Sequence, residues 1–354
     1  MTSPTGDPIR LAIVGGGFIA SVHAEAIRQI PGAQLTAVCA RDVSKAEKLA
    51  GPSHARAYDS FEALLEAGVA EAVLIATPSG SHREHAVPAL RAGHHVLCEK
   101  PLEIRVERVR EMIAEAERNR RILAGFFPLR GGAAAQSVRA ALDAGRFGRL
   151  TFVSARVKWW RDQAYYSGSS WRGTWALDGG GALMNQGVHA VDLLQWLGGE
   201  VTEVGARFGT LAHSGIEVED TLAASLRFAH GGLGTIAAAT SCFPGLDLVM
   251  EVSGDAGSAI LRNDRIDFWS FRDERAEDTA IRENAAAGAI GGGSSNPQAI
   301  SCEGHRRQIE DFCRAIRGQE HHIIDGREAG HAVAIIEAAY RSGRSGKFES
   351  VEKL

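Results

Sequence analysis

Residues 9–30, "IRLAIVGGGFIASVHAEAIRQI", decide the fold of the first part of the chain. The opening apolar run is typical of a buried parallel strand, and the segment after the glycines has helical character. Gly15, Gly17 and Ala20 fit the pattern G-x-G-x-x-A between these two elements. In that context, the first glycine permits a tight turn, the second lets a pyrophosphate approach the backbone, and the small third residue lets helix and strand pack closely. Amides at the helix N-terminus attract phosphates. The pattern therefore predicts a dinucleotide site, with a glycine-rich turn that binds nothing as the alternative.

The alternation of strand and helix continues from this turn. The runs "AQLTAVCA", "AEAVLIATPS", "HHVLCEKPL" and "ILAGF" read as strands, and the segments between them, beginning with Val43–Ala50, read as helices. Such alternation predicts a doubly wound parallel sheet. Ligands of such sheets lie beyond the carboxyl ends of the strands, where Thr77-Pro78 and Glu99-Lys100-Pro101 are expected.

The end of the second strand bears on which dinucleotide binds. An acid usually holds the ribose 2′-hydroxyl there, but the chain reads Cys39-Ala40-Arg41-Asp42. With Ala40 at the acid position, Arg41 can pair with a 2′-phosphate, which favours NADP over NAD. Alternatively, Arg41 is a surface residue and Asp42 binds the ribose after a small shift of register.

From about residue 129 the pattern changes. Strand-like runs such as "RLTFVSARVKWW", "VTEVGARFGTL", "DTLAASLRF", "GLGTIAAATS" and "RIDFWSF" predict a mostly antiparallel sheet. Residues 283–301, "ENAAAGAIGGGSSNPQAIS", read as a flexible low-complexity loop, and two helices close the chain. We therefore predict two domains, 1–128 for the dinucleotide and 129–354 for the substrate.

A second stretch, "GGGALMNQGVHAVDLLQWLGG" at residues 179–199, combines a glycine run with an unusual helix. Asn185, His189, Asp192 and Trp196 follow at steps of four, three and four, which keeps them within about 60° of arc on an α-helix. The other directions are apolar, so the helix is expected to be buried and the polar stripe to face an internal cleft. The alternative is a buried histidine satisfied by Asp192, with Asn185 as a cap.

Aromatic and basic residues crowd into "RVKWWRDQAYYSGSSWRGTWALDGGG", residues 156–181. The segment "YYSGSSWRG" reads as a loop, and loops that carry aromatic residues often bind ligands. Aromatic faces stack on sugar rings, and basic groups bind carboxylates or phosphates. The stretch therefore predicts a site for a sugar-like substrate that can carry a negative charge, with an oligomer interface or a packed lid as the alternative. The candidate ligands are Lys158, Trp160, Arg161, Tyr166 and Arg172.

Composition limits the classes of function. The chain has 354 residues, a net charge of −4 and 45% hydrophobic residues, so nothing points to nucleic acid or to an anionic membrane. Its five cysteines are scattered without the spacing of a metal site, which fits reduced thiols. The N-terminus "MTSPTGDPIR" has no apolar signal region. We expect a cytoplasmic protein without a metal.

Taken together, "GGGFIASVHA", "TPSGSH", "CEKPL", "GGGALMNQGVHAVDLLQW", "GHRRQIEDF" and "AAYRSGRSGK" resemble the Gfo/Idh/MocA family of NAD(P)-dependent oxidoreductases over nearly the whole chain. The resemblance implies a Rossmann domain followed by an α/β domain with a large open sheet, often used for oligomer contacts, here in a homodimer or homotetramer. It implies sugars, sugar acids or cyclitols as substrates. It also implies cofactor contacts from Gly15, Gly17, Phe18, Ile19, Ala20, Arg41, Thr77, Pro78, His82, Glu99 and Lys100, with Glu99 on a ribose and a cis bond before Pro101.

The same resemblance implies Lys100 and His189 as the catalytic pair. Many members have an aspartate where this chain has Asn185, and N-Q-x-x-H-x-x-D resembles a subgroup that includes nucleotide-sugar uronate 3-dehydrogenases. A neutral histidine suits proton removal from a secondary alcohol, and Lys100 can orient the hydroxyl and stabilise its developing charge. Asn185 and Asp192 are candidate substrate ligands. Asn185 can hold a substrate hydroxyl, and Asp192 can instead hold the imidazole tautomer or bond the backbone. The alternative is a non-redox member, either an NAD-dependent glycosidase or a cofactor-binding regulator.

Overall fold

The N-terminal apolar run forms the central strand of a six-stranded sheet. The structure is a computed structural model, and it describes residues 6–283 and 302–354. All neighbouring strands of this sheet are parallel, in the order β3-β2-β1-β4-β5-β6. That order is the Rossmann order, as predicted. The strands are β1 (Ile9–Val14), β2 (Ala33–Cys39), β3 (Arg56–Tyr58), β4 (Ala72–Ile75), β5 (His95–Cys98) and β6 (Leu123–Gly125).

The helices of this unit pack around the parallel sheet. They are α1 (Phe18–Arg28), α2 (Val43–Ala50), α3 (Phe61–Glu66), α4 (His82–Arg91), α5 (Val106–Asn119) and, from the far end of the chain, α10 (Glu303–Ile316). Among the described residues, those of Met1–Phe126 and Cys302–Gly330 form one compact unit. The sequence-based division had assigned all of 129–354 to a second domain. The segment Cys302–Gly330 groups with the Rossmann sheet because Ile309 and Phe312 are fully buried in the same core as Ile27.

The described residues of Phe127–Ser301 and His331–Leu354 form the second unit, which contains an eight-stranded sheet. The strand order is β13-β12-β11-β7-β10-β9-β8-β14. Among these described strands only β7 and β10 pair in parallel, which confirms the predicted mostly antiparallel sheet. Its strands are β7 (Leu150–Lys158), β8 (Val201–Gly209), β9 (Thr221–Phe228), β10 (Leu233–Ala239), β11 (Val249–Gly254), β12 (Gly257–Arg262), β13 (Arg265–Phe271) and β14 (Glu349–Ser350).

Helices pack against this sheet. Gly198 lies so close to Val153 of β7 and to Phe228 of β9 that a Cβ there would be 2.8 Å from the Phe228 ring, and so helix and sheet pack tightly. The helical elements are α6 (Ala133–Asp143), α7 (Gln163–Ser167), a π-helical turn (Ala182–Gly187), α8 (Val188–Gly198), α9 (Ala276–Glu283) and α11 (Gly326–Ser345).

Two local predictions were wrong. Residues 165–173 are not all loop, because α7 includes Tyr165 and Tyr166, and its first turn is capped by the Asp162 carboxylate, which accepts from the Tyr165 amide at 2.8 Å. The stretch 179–199 is not a single α-helix, because it starts with the π-helical turn. The predicted flexible loop at 283–301 lies, apart from Glu283, outside the described residues. Within 6–283 and 302–354, no helix combines the length and apolar character needed to cross a membrane.

Candidate active site

The glycine turn after β1 has the geometry that a dinucleotide requires. Gly15 has φ +135°, and a Cβ there would lie 2.3 Å from the Ala76 carbonyl oxygen, so only glycine fits. A Cβ on Gly17 would meet no atom within 4 Å, which leaves open space over the start of α1. Ala20 is fully buried, as expected of the small residue at the helix–strand contact. Within the part of the chain that the structure describes, no side chain caps α1, so its first amides can bind an anion. These features fit a bound pyrophosphate.

The turn after β2 separates the roles of Arg41 and Asp42. The Asp42 carboxylate caps α2 by accepting from the Ser44 amide at 3.2 Å and from the Ser44 hydroxyl at 2.6 Å. The Ser44 hydroxyl bond is the main cause that lowers the pKa of Asp42. Arg41 is exposed, and Ala40 is buried. Asp42 is thus already engaged with its own helix, whereas Arg41 is accessible.

His82 joins the two loops that follow β4 and β5. Its imidazole is 1% exposed, with Nδ1 2.9 Å from the Pro101 carbonyl oxygen and Nε2 3.0 Å from the Thr77 carbonyl oxygen. Burial lowers its pKa, which favours the neutral ring. The Lys100–Pro101 bond is cis, which confirms that prediction. His82 therefore lies between the Thr77-Pro78 loop and the loop that carries Lys100, and its neutral ring donates to one of the two carbonyl oxygens.

Glu99 lies in a buried cluster that the sequence analysis did not anticipate. Its Oε1 is 2.8 Å from His23 Nε2 on α1 and 3.7 Å from His305 Nε2 on α10, while its Oε2 accepts from the Lys100 amide at 3.1 Å. Burial acts to raise the pKa of Glu99, but the His23 hydrogen bond and the charges of His23, His305 and Lys100 outweigh it and bring the pKa to about 2. The two histidines occur in the motifs "SVHA" and "GHRR", but nothing local signals that they meet one carboxylate.

In the second unit, Asn185 and His189 are distinguished by their exposure. Every residue from 178 to 194 is buried except these two, which are partly exposed. Asn185 lies in the π-helical turn and His189 in the first turn of α8, against the edge of the Phe127 ring at 5.7 Å between centroids. π-helical turns occur frequently at functional sites. An otherwise buried segment thus leaves one amide and one imidazole partly accessible.

The amide of Asn185 belongs to a relay of side chains. Its Nδ2 donates to Asp178 Oδ1 at 2.5 Å, and its Oδ1 accepts from Gln186 Nε2 at 2.8 Å. Gln186 in turn donates to the Tyr165 hydroxyl at 2.9 Å and accepts from Arg161 Nη2 at 2.8 Å. Asp178, Gln186 and Tyr165 were missed by the sequence analysis, although each adjoins a residue or motif that it singled out.

The aromatic stretch converges on this relay, but its two arginines differ. Arg161 is 3% exposed, lies 5.5 Å from the Tyr165 ring centroid, and donates to the Trp160 carbonyl oxygen; burial lowers its pKa. Arg172 is partly exposed, and its guanidinium lies 4.4 Å from the Tyr165 ring centroid and 5.4 Å from that of Trp171. Its Nε is buried without a hydrogen-bond partner among the described residues. Arg161 therefore supports the relay, while Arg172 keeps donor capacity for a ligand.

Two further predicted ligands have protein partners. The Tyr166 hydroxyl lies 2.8 Å from the Thr240 hydroxyl, and its ring contacts Tyr165 and His213. Asp192 is 2% exposed and bound by both Nε and Nη2 of Arg130, at 2.9 and 2.7 Å to its two oxygens. The structure thus gives Asp192 a guanidinium partner that the sequence did not suggest.

The glycine run 179–181 serves close packing at the start of the π-helical turn. A Cβ on Gly180 would lie 2.0 Å from the Tyr340 hydroxyl, and one on Gly181 would lie 1.8 Å from the Glu219 carbonyl oxygen. The Glu219 carboxylate accepts from the Gly181 and Leu183 amides, both at 2.8 Å, and from the Tyr340 hydroxyl at 2.9 Å. Burial raises the pKa of Glu219 to about 7 against the lowering effect of these bonds.

A Rossmann sheet whose glycine turn leaves open space at the start of α1 is typical of dinucleotide-binding proteins. Sequence models agree with this class. The model of the oxidoreductase family with an NAD-binding Rossmann fold matches residues 9–126, and that of the GFO/IDH/MocA C-terminal domain matches residues 135–260. The chain belongs to the GFO/IDH/MocA family of oxidoreductases.

Named relatives are similar over most of their length. D-glucoside 3-dehydrogenase of Escherichia coli (strain K12) is 27% identical over 97% of both chains. Trans-1,2-dihydrobenzene-1,2-diol dehydrogenase of Bos taurus is 30% identical over 72% of this chain and 74% of its own. Among solved structures, the WlbA dehydrogenase from Bordetella pertussis, in complex with NADH and UDP-GlcNAcA, is 34% identical, with a TM-score of 0.90 over 98% of this chain and 99% of that one.

Proposed function

We propose that this protein transfers a hydride between a nicotinamide dinucleotide and a secondary alcohol of a sugar, sugar acid or cyclitol. The observation that carries the proposal is the exposure of Asn185 and His189 alone within the buried stretch 178–194, beside an aromatic and arginine-containing cluster. The relatives named above are dehydrogenases, one of a glucoside, and this supports a redox reaction on a sugar-like substrate. It does not support the glycosidase or regulator alternatives.

The dinucleotide, when bound, accepts or donates the hydride. In our proposal, His189 takes the proton of the reacting hydroxyl, since a neutral imidazole is a suitable base near neutral pH. Lys100 orients the hydroxyl and stabilises negative charge that develops on its oxygen. Asn185 binds a further hydroxyl, and its orientation is determined by Asp178 and Gln186.

The test is a panel of sugars, uronates and cyclitols, followed through the absorbance of the reduced nicotinamide. For the best substrate we expect His189→Ala to lower kcat by about 10²–10⁴-fold, the usual contribution of general acid–base catalysis, with the Kd of the dinucleotide unchanged. Lys100→Ala should be at least as damaging. Near wild-type kcat in His189→Ala would refute the proposed role of the helix.

We propose that the substrate carries a negative charge and that Arg172 binds it. Its stacking on Tyr165 and Trp171 pre-orders the guanidinium, and its buried Nε has no acceptor among the residues described. The UDP-GlcNAcA bound to the WlbA dehydrogenase supports an anionic ligand. Removing a hydrogen bond to a charged group costs about 1.5–3 kcal/mol, so Arg172→Ala should lower kcat/KM for a uronate about 10- to 150-fold.

The control for this test is the matching neutral sugar, whose kcat/KM should change little in Arg172→Ala. Arg314→Ala removes an exposed arginine of α10, which pairs with Glu310, and should affect neither substrate. Equal losses for the uronate and the neutral sugar would show that Arg172 only supports the fold of the segment.

For the dinucleotide we propose NADP as the preferred form, since Arg41 is exposed and Asp42 is engaged in capping α2. The WlbA dehydrogenase binds NADH, so a preference for NAD is the outcome that the experiment has to exclude. Titration of wild-type protein with both forms decides between them: tighter binding of NAD would overturn this assignment while leaving the reaction unaffected.

We also propose that copies of the chain associate through the outer face of the eight-stranded sheet, in a homodimer or homotetramer. Phe152 and Leu233, which are register partners on β7 and β10, are 41% and 51% exposed. Phe152→Lys should reduce the mass measured by light scattering to that of one chain.

All five cysteines are free, which supports a reducing compartment and hence the cytoplasm.

A further inference from the structure

The start of the segment that carries Asn185 and His189 has an unusual set of partners. The first amides of a helix lack acceptors within the helix and need them from elsewhere, above all where the helix end is buried. Gly181 supplies no side-chain cap. Four consecutive amides, those of residues 181–184, instead bond to two residues that are distant in the chain, Glu219 and Tyr340.

Each of these four amides has its own acceptor. The Glu219 carboxylate accepts from Gly181 and Leu183, and the Glu219 carbonyl oxygen accepts from the Ala182 amide at 2.9 Å. The Tyr340 hydroxyl accepts from the Met184 amide at 3.3 Å and donates to Glu219 Oε1 at 2.9 Å. When it is ionised, the carboxylate also faces the positive end of the helix dipole.

The position of this cap relates it to function and not only to stability. The next residue after the four capped amides is Asn185, and His189 follows one turn later. The glycines at 180 and 181 have no Cβ, which is what lets Tyr340 and Glu219 come this close. A shift of the carboxylate would leave two buried amides without acceptors and would change the π-helical turn on which Asn185 lies.

We propose that Glu219, assisted by Tyr340, is a positioning residue that holds the π-helical turn so that Asn185 and His189 have the orientation needed for catalysis. The inference rests on the proposed role of His189. Glutamine in place of Glu219 can accept from only one of the two amides with its single oxygen, because its amide nitrogen is a donor. Phenylalanine in place of Tyr340 removes one acceptor and leaves the carboxylate in place.

The experiment compares Glu219→Gln and Tyr340→Phe with a matched control, Asp278→Asn. Asp278 is likewise a buried carboxylate with several donors, from Arg146, Trp269 and Arg275, but it holds α9 rather than the π-helical turn. All three variants should lower the Tm. With the best sugar of the panel, Glu219→Gln should lower kcat at least tenfold at an unchanged Kd of the dinucleotide, Tyr340→Phe less, and Asp278→Asn should keep kcat.

A second measurement does not depend on turnover. The imidazole signal of His189 in the NMR spectrum, identified by its absence in His189→Ala, should move in Glu219→Gln and Tyr340→Phe and stay in place in Asp278→Asn. Equal loss of Tm in Glu219→Gln and Asp278→Asn, with kcat and the His189 signal unchanged in both, would overturn the inference; if Glu219→Gln fails to fold, the same two readouts on Tyr340→Phe decide it. High activity in His189→Ala would refute the proposed function instead.

Discussion

Asn185→Asp is the substitution whose effect the structure predicts most sharply. The resemblance to the family implies an aspartate at this position in many members, so the change looks conservative. In this chain, however, Asn185 Nδ2 donates to Asp178 Oδ1 at 2.5 Å, and Asp178 is 1% exposed. An aspartate would replace the donor with a second carboxylate oxygen, and a partly exposed carboxylate would then face the buried one of Asp178.

The cost follows from the distance. For the two carboxylates we take a separation of about 4 Å between the centres of their charges. Two unit charges at that separation repel by about 4 kcal/mol at an effective dielectric constant near 20. That energy is enough to raise the pKa of one carboxyl of the pair strongly, so that the two share a proton. A carboxyl whose folded-state pKa is raised contributes stability that is present at low pH and lost as the pH rises through that pKa. The stability of Asn185→Asp should therefore approach that of the wild type at acidic pH and fall by up to about 4 kcal/mol as the carboxyls ionise.

The assay is the midpoint of thermal unfolding as a function of pH, and the control is the exchange variant that combines Asp178→Asn with Asn185→Asp. The exchange keeps one acid and one amide. The new asparagine side chain at position 178 can still accept from the Gly173 amide, which the native carboxylate does at 2.9 Å. The new carboxylate at position 185 can still accept from Gln186. The exchange should therefore restore the wild-type pH dependence of unfolding.

The exchange variant also moves the charge to four residues before His189. This charge favours the imidazolium and should shift the acidic limb of kcat/KM to higher pH. If the single variant Asn185→Asp unfolds like the wild type at every pH, the contact between residues 178 and 185 is not present in the protein and this reasoning is refuted.

Three other predictions concern the cofactor turn and the cap. Gly17→Val should keep the wild-type Tm, because a Cβ there meets no protein atom within 4 Å, and should lose dinucleotide binding in a fluorescence titration; normal binding would refute the assigned pyrophosphate site. Arg41→Ala should weaken NADP by about 1.5–3 kcal/mol and leave NAD unchanged, and equal losses of both in calorimetry would contradict a contact with the 2′-phosphate. Burial raises the pKa of Glu219 to about 7 from 4.5, so its contribution to stability, about 3 kcal/mol in size, should be lost as the pH rises from 4.5 through 7. Glu219→Gln should flatten this part of the curve of Tm against pH, and an unchanged curve would show that Glu219 does not titrate there.

The parallel sheet and its cofactor turn were predictable because their signals are local. An apolar run, three positions of the glycine pattern and the following helix lie within residues 9–30. The atom that requires glycine at position 15, the Ala76 carbonyl oxygen, directly follows β4 of the same sheet. The alternation of elements up to residue 125 predicted the parallel sheet, but not the short β3. The helix α10 shows the limit of this reasoning: its apolar period predicts a helix, but not that it packs with a sheet formed some 180 residues or more earlier in the chain.

The candidate site likewise has residues that local sequence signals predicted and partners that they did not. The residue types and spacing in 179–199 pointed to Asn185 and His189, since four-residue steps are a property of the chain itself. Their partners were not predicted: Asp178, which directly precedes this stretch, binds the Asn185 amide, and the distant Glu219 and Tyr340 bind the buried backbone amides of the turn. The departure from an α-helix at 182–187 could not be predicted for the same reason, since the acceptors for its first amides come from residues 36 to 156 positions away. Short-range patterns determine which groups a segment offers, whereas hydrogen bonds and burial between distant segments, which exist only once the chain has folded, decide which of those groups remain accessible and how they are held.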